Sequence, residues 1–489
     1  MSAIGRLLRR VPRVAWLCAL VALANGLAWS LIVPPFEVPD ENAHYAYVQQ
    51  VAERGTLPRQ VAPEGSLSPA EDQILSALLT FGVVGHRDNP APDTQVQQQV
   101  IDRIAKQNLT ALGSGDALTA TANPPLYYAL QAIPFKLTPS GKVLDKLQAM
   151  RGLSALMGAL TVLLVFMFLR ELLPGSSWAW PTGALVVAFQ PMFGFMSGGV
   201  NNDDLLYLMS AGVLWALARG FRRGLTPANG ALIGAFLGVG LISKLTLLGF
   251  IPAVALAVAV LARRTWAEDR RATARGVAWA AGLSLGPIAI YLLLNHLVWN
   301  RTAIPGGVGA ATAAPGRVFS TAEELSHIWQ LFLPRLWMRP QFSSYPLWET
   351  WFKGLVGRFG WVDYDFPAWV YQVARAIGLL VCALAVAELW RARKALRRRL
   401  GELAVYALAI VGLCVEIGVE SYRSLVTNQG VFEQARYLLP LLCLYAAIAA
   451  LAVRFGGRRW GPALGALLVV LAIGHDLFAQ AITISRYYA

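Results

Sequence analysis

Long apolar segments alternate with short polar ones along almost the whole chain. Most of them approach the length that an α-helix needs to cross a bilayer. Eleven qualify as membrane spans, at residues 14–33, 148–170, 179–199, 204–219, 227–243, 246–262, 276–298, 367–389, 401–420, 437–453 and 461–482. The pattern therefore predicts an all-α polytopic membrane protein, with residues 1–489 forming one integral membrane domain.

The connections between these spans alternate in charge. Six of them carry arginine: RRVPR, RELLPG, RGFRRG, RRTWAEDRRATAR, RARKALRRR and RFGGRR. Because arginine and lysine concentrate in cytoplasmic loops, these six are assigned to the cytoplasm. The basic start of the chain, followed by a long apolar run, is interpreted as an uncleaved first helix. The sequence therefore predicts a chain that crosses the membrane several times, with its other connections outside.

Two large segments, residues 34–147 and 299–366, then lie outside. The first is predicted to be helical in parts, at SPAEDQILSALLTFG with a capping box and at DTQVQQQVIDRIAKQNL. A shorter apolar stretch in it, residues 123–137, would spoil the charge alternation as a span, so it is predicted to be interfacial or re-entrant. The second segment is rich in tryptophan, which frames either a lipid groove or a simple aromatic belt. Its tryptophans are Trp329, Trp337, Trp348, Trp351 and Trp361.

Composition supports the membrane interpretation. The chain is 56% hydrophobic and only 14% charged, which excludes an ordinary soluble protein. A net charge of +14 would suggest nucleic acid in a soluble domain, but here membrane topology explains it, so no nucleic-acid partner is predicted. All four cysteines fall in apolar runs, which indicates neither a disulfide framework nor a thiolate metal site.

An acidic cluster follows the first span, in PPFEVPDENAHYAYVQQVAERG at residues 34–55. A short helix is predicted from Asp40 at the N-cap to Gly55, with Glu41 in its first turn. Capping alone would explain one acid. It would not explain why His44 falls one turn later on the same face.

A second acidic cluster, GGVNNDDLLYL, places Asp203 and Asp204 between the outer end of the third predicted span and the start of the fourth. Either residue could equally cap the helix that follows. By the assigned topology, both acidic clusters are external.

Isolated cations stand at outer helix ends. Lys244 lies in GLISKLTLLGF and is either a functional cation or a snorkelling lysine. Arg436, next to Tyr437 in QARYLLP, suits a phosphate, although Glu433 offers an ordinary ion pair. Four further polar residues would line an outward cavity or pair with one another, namely Arg375, Glu416, His475 and Asp476.

Several motifs, in this order, resemble those of GT-C-fold glycosyltransferases: PDENAH, NPPLYYAL, MRGLSAL, NNDD and RYLLP. The likeness covers nearly the whole chain. It is closest to a bacterial membrane-protein family of formally unknown function, allied to the protein O-mannosyltransferases and the aminoarabinose transferases of lipid A. The chain departs from that pattern in the spacing of its acids and at Ala435, where glycine is expected.

The resemblance implies a GT-C-like fold with helical external loops, in which the apolar runs would form about eleven transmembrane helices. It implies a multi-pass protein of the bacterial cytoplasmic (inner) membrane whose active site faces outside. It implies transfer of a sugar from a polyprenyl-phosphate donor to a glycan, lipid or protein acceptor, with inversion. It also implies that Asp40 is the catalytic aspartate, with Glu41 beside it, and that Asp203 or Asp204 is the second acid. The predicted substrate-binding residues are His44, Asp203, Asp204, Lys244, Arg436, Tyr437 and Arg375.

The chemistry of these residue types agrees. An inverting transfer needs one base for the acceptor hydroxyl, and Asp40 can be that base. Lys244 and Arg436 could stabilise the charge on the departing phosphate. No cofactor is required, although Asp40, His44 and Asp203 could hold a divalent cation such as Mg or Mn.

Two other functions fit the same features. A transporter or flippase for a lipid-linked sugar would also need a groove and a few charges, but transporters usually show internal repeats and midplane sites, and the sequence shows neither. A glycan ligase or polymerase that uses a lipid pyrophosphate is hardly distinguished by sequence from a monosaccharide transferase.

Overall fold

The computed structural model describes residues 11–58, 69–78, 120–140, 142–299, 317–338, 347–427 and 433–488, together with the single positions 99 and 103. This part of the chain is almost entirely helical. Its two strands, of two residues each, form one small antiparallel ribbon. The predicted fold class, an all-α polytopic membrane protein, is confirmed.

The helices follow the apolar runs of the sequence. In chain order they are α1 Arg13–Ile32, α2 Glu41–Arg54, α3 Pro69–Ala77, α4 Leu126–Leu137, α5 Val143–Leu172, α6 Ala179–Ala188, α7 Pro191–Ser197, α8 Asp203–Arg223, α9 Pro227–Leu241, α10 Ile251–Thr265, α11 Arg270–Leu297, α12 Thr321–Phe332, α13 Leu347–Gly357, α14 Ala368–Arg391, α15 Arg393–Leu396, α16 Leu400–Thr427, α17 Leu442–Arg454 and α18 Gly457–Tyr488. Short 3₁₀ segments occupy Leu245–Phe250, Arg397–Arg399 and Ala435–Leu441. Strands β1 Arg358–Phe359 and β2 Tyr364–Asp365 pair antiparallel.

Within the described residues, eight helical segments are long and apolar enough to cross a membrane. They are Arg13–Ile32, Val143–Leu172, Leu245–Thr265, Arg270–Leu297, Ala368–Arg391, Arg393–Thr427, Ala435–Arg454 and Gly457–Tyr488. Each overlaps one of the eleven predicted spans.

The other three predicted spans form shorter or more polar helices. The span at 179–199 is broken, because Pro191 opens a new helix and the side chain of Gln190 caps it by accepting from Phe193 N (2.5 Å). The span at 227–243 becomes α9, with only 15 residues. The span at 204–219 becomes α8, which begins with two acids and ends with two arginines. The count of eleven stays a prediction.

The helices pack around α5. Helix α5 lies against α1 and α8, α9 lies along α11, and α17 packs between α14 and α6. All four cysteines are free, as predicted. Helix α3 confirms part of the predicted helical content of the first outer segment, whereas the stretch DTQVQQQVIDRIAKQNL lies almost wholly outside the described residues.

Connections assigned to the cytoplasm meet at one end of the bundle. Arg223 pairs with Glu171 (2.5 Å), and Arg399 donates to the carbonyl of Leu172 (3.1 Å). These contacts join three of the six arginine-bearing connections. Which end faces the cytoplasm stays a prediction, as do the boundaries of the outer segments.

Candidate active site

A tight loop joins α1 to α2. Phe36 and Asp40 both adopt left-handed backbone conformations, with φ of 66° and 63°. Arg151 on α5 holds this loop, since its guanidinium donates to the carbonyls of Ser30 (3.0 Å), Val33 (2.8 Å) and Pro34 (2.8 Å). A strained loop that surrounding contacts over-determine is typical of functional sites.

Glu41 completes the same network. Arg151 donates to both of its carboxylate oxygens, at 2.8 and 2.6 Å. The backbone N–H groups of Phe36 (2.8 Å) and Val200 (2.9 Å) also donate to this carboxylate. Glu41 is fully buried, and Arg151 is 2% exposed. A carboxylate that accepts four hydrogen bonds in a sealed pocket is placed to hold the loop, and a base role does not fit this geometry.

Asp40 takes the predicted N-cap position but makes no side-chain cap. Its carboxylate instead accepts from Arg436 Nη2 at 2.7 Å, and its side chain is 26% exposed. Helix α2 runs from Glu41 to Arg54 and ends at left-handed Gly55, as predicted.

Arg436 and Lys244 connect the two acidic clusters. Arg436 Nε lies 3.7 Å from Asp203, and Lys244 Nζ lies 2.5 Å from the other oxygen of Asp203. The order Asp40, Arg436, Asp203, Lys244 therefore forms an alternating ion chain, and we use that name below. The structure pairs Arg436 with Asp40, whereas Glu433 accepts from the hydroxyl of Ser421 (2.6 Å).

The ion chain keeps Asp40 charged. Burial by itself would raise the pKa of Asp40, but the positive charge of Arg436, with Lys244 beyond it, outweighs burial, so this pKa lies below its ordinary value. Asp40 is therefore ionised at neutral pH.

His44 contacts a tyrosine and is not a member of the ion chain. Its Nδ1 lies 2.9 Å from the hydroxyl of Tyr128 on α4, and the two rings stack. Burial lowers the pKa of His44 to about 3, so this side chain is neutral. Tyr47 stacks on Tyr128 as well, with ring centroids 3.6 Å apart. The motifs PDENAH and NPPLYYAL thus form one packed unit.

The predicted metal set is not assembled. Among the residues that the structure describes, no group of three or more His, Cys, Asp and Glu side chains could hold an ion. Asp40 and Asp203 contact arginine and lysine, and His44 contacts Tyr128. Their arrangement does not fit a bound cation, and a divalent-ion requirement stays an untested prediction.

The other predicted substrate residues divide into two groups. Tyr437 belongs to the ion chain's surroundings, because its hydroxyl accepts from Arg436 (3.3 Å) and its ring lies below Arg436 and Lys244. Asp204 is buried, with 1% exposure, and makes no ion pair within the described part of the chain. Arg375 lies apart, in a separate cavity of about 390 Å³.

The four outer-helix polar residues do not line one cavity together. Asp476 accepts from Trp29 Nε1 (3.1 Å) and Gln480 Nε2 (3.0 Å), within a buried network between α1 and α18. Arg375 on α14 lines a cavity to which Phe366 also contributes, whereas the ring of His475 on α18 packs against Phe366, with centroids 5.0 Å apart. The expectation of a shared cavity that also includes Glu416 has no support in the described contacts.

Small residues let the site segments approach. A Cβ on Gly199 would meet Val38 at 2.5 Å, so only glycine allows the second acidic cluster to pack on the α1–α2 loop. Ala435 packs against Gly354 of α13, where a Cβ would come within 2.4 Å of the alanine methyl. The close approach of these two segments therefore requires glycine at 354.

Sequence reasoning missed Arg151 and Tyr128 as site-forming residues. Arg151 lies inside MRGLSAL, a motif used only for the resemblance. The signal was present, because an arginine at the start of a long apolar helix is costly without a partner. The same criterion singled out Lys244.

Several solved structures resemble this chain. ArnT from Cupriavidus metallidurans bound to undecaprenyl phosphate matches at 14% identity and a TM-score of 0.46, over 99% of this chain and 64% of that one. The apo Archaeoglobus fulgidus oligosaccharyltransferase matches at 14% identity and a TM-score of 0.44, over 96% of this chain and 56% of that one. Both are GT-C glycosyltransferases, the class that the motifs resemble. This chain spans less than two thirds of either protein, and likeness at this level assigns no activity or substrate.

No curated protein matches the chain. A family model described as "Predicted membrane protein (DUF2142)" matches residues 23–445, which is most of the sequence. This match confirms the predicted membership in a membrane-protein family of formally unknown function. The chain belongs to the DUF2142 family of predicted membrane proteins.

Proposed function

We propose that this protein is a GT-C-type glycosyltransferase that moves a sugar from a polyprenyl-phosphate donor to an acceptor at the external face of the cytoplasmic membrane, with inversion. The observation that carries the proposal is the state of Asp40. Of the two carboxylates in the ion chain, Asp40 is the partly exposed one, at 26%, whereas Asp203 is fully buried. Its N-cap position leaves its side chain uncapped and directed at a cation.

Asp40 would act as the base. It accepts the proton of the acceptor hydroxyl while that oxygen attacks the anomeric carbon, and the bond from that carbon to the phosphate oxygen breaks on the opposite face of the sugar. One carboxylate is sufficient for this chemistry. Glu41, next in sequence, serves by holding the loop that carries Asp40.

Arg436 and Lys244 would receive the departing phosphate. In the present structure Arg436 binds Asp40. A donor phosphate would compete for the same guanidinium, because arginine prefers a doubly charged, multidentate anion. As Arg436 turns to the phosphate, the pKa of Asp40 rises and the carboxylate becomes a better base. Donor binding would thus increase the basicity of Asp40.

A turnover measurement tests the function. Membranes from cells that overproduce the protein are incubated with an extract of lipid-linked sugars, and the released lipid is identified by mass. We expect free polyprenyl phosphate to accumulate above the level in membranes without the protein. Release of polyprenyl pyrophosphate would instead establish the ligase or polymerase alternative. Movement of intact lipid-linked sugar across the membrane, with no release, would establish a flippase.

Sidedness has a test of its own. In a variant without native cysteines, Thr321→Cys and Ala395→Cys are introduced singly, because both positions are exposed and lie on opposite predicted sides. An impermeant thiol reagent should label position 321 in intact cells and position 395 only after lysis. The reverse pattern would overturn the outward orientation.

A further inference from the structure

A small cavity opens beside the ion chain, on the side of α13 and the β1–β2 ribbon. Arg436 and Pro39 form one wall, and Arg358, Thr350 and Glu433 are among the residues that form the rest. Its volume is about 20 Å³. That is room for one oxygen atom of water size and not for a sugar ring.

Arg358 differs from the other cations around the site. Arg436 and Lys244 contact acids of the ion chain, and Arg151 contacts Glu41. Arg358, by contrast, makes no ion pair with any residue that the structure describes, and its buried Nε has no hydrogen-bond partner there. Arg358 is partly exposed, but its Nε–H is removed from water without an acceptor among the described residues, which is costly, so this group is expected to bind an anion.

The ribbon fixes where this guanidinium lies. Arg358 is the first residue of β1 and stands opposite Asp365 in the register. Asp365 lines the separate cavity of about 390 Å³ on the other flank of α13, whereas Arg358 lines the small cavity that it shares with Arg436. The fold therefore directs Arg358 toward the ion chain.

We propose that Arg358 is a donor-binding residue, which holds one non-bridging oxygen of the lipid phosphate in this cavity while Arg436 holds another. The inference rests on the proposed function and deepens it. One phosphate oxygen in the cavity can accept a charge-assisted hydrogen bond from Nε of Arg358, which is the bond that this group lacks among the described residues. Because Arg358 has no acid to give up, it can bind the phosphate before Arg436 exchanges Asp40 for it.

Glu433 is the rival partner, since it lines the same cavity. In the structure its carboxylate accepts from Ser421 at 2.6 Å. If Arg358 existed to neutralise Glu433, removing either charge would have the same consequence for folding. If Arg358 binds phosphate, removing Glu433 would leave lipid binding equal or stronger, because a nearby negative charge disappears.

The test compares farnesyl phosphate with farnesol, which share the chain and differ in the phosphate. Binding to the detergent-purified full-length protein is measured for the wild type, Arg358→Gln, Arg358→Lys and Glu433→Gln, with Arg54→Gln as the control at an exposed arginine of α2. We expect Arg358→Gln to lose about ten- to a hundredfold in affinity for the phosphate and nothing for the alcohol. Arg358→Lys should recover part of the loss, and Arg54→Gln should match the wild type.

The outcomes separate the two proposals. If the wild type binds farnesyl phosphate no better than farnesol, the proposed polyprenyl-phosphate donor is contradicted, and the role of Arg358 with it. A wild type with that preference, retained in full by Arg358→Gln, would overturn the role of Arg358 alone. Equal losses of thermal stability in Arg358→Gln and Glu433→Gln, with unchanged phosphate preference, would identify a structural charge pair.

Discussion

Asp40 and Glu41 are neighbours in sequence, and each binds an arginine from a distant helical segment, yet the two ion pairs are built in opposite ways. The Glu41–Arg151 pair is sealed: both side chains are almost completely buried, and every carboxylate oxygen accepts hydrogen bonds from side chain and backbone. The Asp40–Arg436 pair is open on its acidic side: Arg436 is buried, at 4% exposure, but Asp40 is 26% exposed and, among the described residues, forms one ion pair.

This difference in burial distinguishes an ion pair that stabilises the loop from one that can exchange a partner for a ligand. A sealed pair is costly to break because either partner would remain buried and uncompensated. An open pair can exchange one partner for an incoming anion or hydroxyl, because water and ligand reach it. The α1–α2 loop thus places a rigid anchor and a reactive carboxylate at consecutive positions, and each can be removed separately.

The largest expected effect is on turnover. Asp40→Asn keeps the shape of the side chain and, like aspartate, tolerates the left-handed backbone, but it cannot accept a proton as a base. We expect release of polyprenyl phosphate to fall by about 10² to 10⁴-fold. The melting temperature should stay near that of the wild type, because buried Arg436 keeps Asp203, 3.7 Å from its Nε, as a counter-charge. Asp145→Asn, at an exposed acid in the first turn of α5, is the matched control. Full turnover in Asp40→Asn would remove the base assignment.

The next effect is on stability. Glu41→Gln leaves the buried guanidinium of Arg151 without a counter-charge, which should cost about 3–5 kcal/mol and be seen as a lower melting temperature and lower abundance. The double variant Glu41→Gln with Arg151→Met removes the stranded charge and should recover part of the loss. If Glu41→Gln melts normally but loses turnover, Glu41 would be the base, and its ion pair would not be the structural one.

A smaller effect is expected on donor binding. Arg436→Lys keeps the charge but loses the two-pronged geometry, so affinity for farnesyl phosphate should fall by about tenfold. Lys244→Met should weaken binding as well, but it also strips buried Asp203 of its nearest cation. The double variant Lys244→Met with Asp203→Asn restores the charge balance and separates the two consequences. Normal binding with early melting in Arg436→Lys would show that the open pair is structural.

Much of the fold is predictable from local pattern. Eight spans were located because a long apolar run in a membrane protein has only one hydrogen-bonded solution, the helix. Helix α2 was predicted from its capping residues. The helix break inside 179–199 was not predicted, although a proline after a polar residue, here Pro191, indicates a new helix start. The span count depends on such breaks, and hydropathy alone does not resolve them.

The site was predictable in its residue types but not in its pairings. Asp40, Asp203, Lys244 and Arg436 were chosen as polar residues at outer helix ends, and the structure brings all four together. Which acid meets which cation depends on packing between segments that lie far apart in the chain, and no periodicity records it. Glu41 and Asp40 look equivalent in sequence, and only their tertiary partners distinguish them.

The smallest expected effect concerns a third carboxylate in the same loop. Glu37 is 4% exposed, and its carboxylate accepts from the hydroxyl of Tyr487 (3.2 Å). Burial, reinforced by the negative charge of Asp363, raises the pKa of Glu37 to about 8, from 4.5 for the free side chain. Glu37 is therefore neutral at pH 7, whereas Asp40 is ionised.

The raised pKa of Glu37 makes the folded protein less stable as pH rises. Between about pH 4.5 and 8 the unfolded chain has an ionised Glu37, while the folded protein keeps its proton, so stability from this residue falls as pH rises through that window. Glu37→Gln has no proton to lose and still accepts from Tyr487. We expect the variant to melt higher relative to the wild type as pH rises from 5 to 8, by on the order of 2–4 °C, and the gap to level off above pH 8. A gap that grows as pH falls would show that Glu37 is ionised in the folded protein.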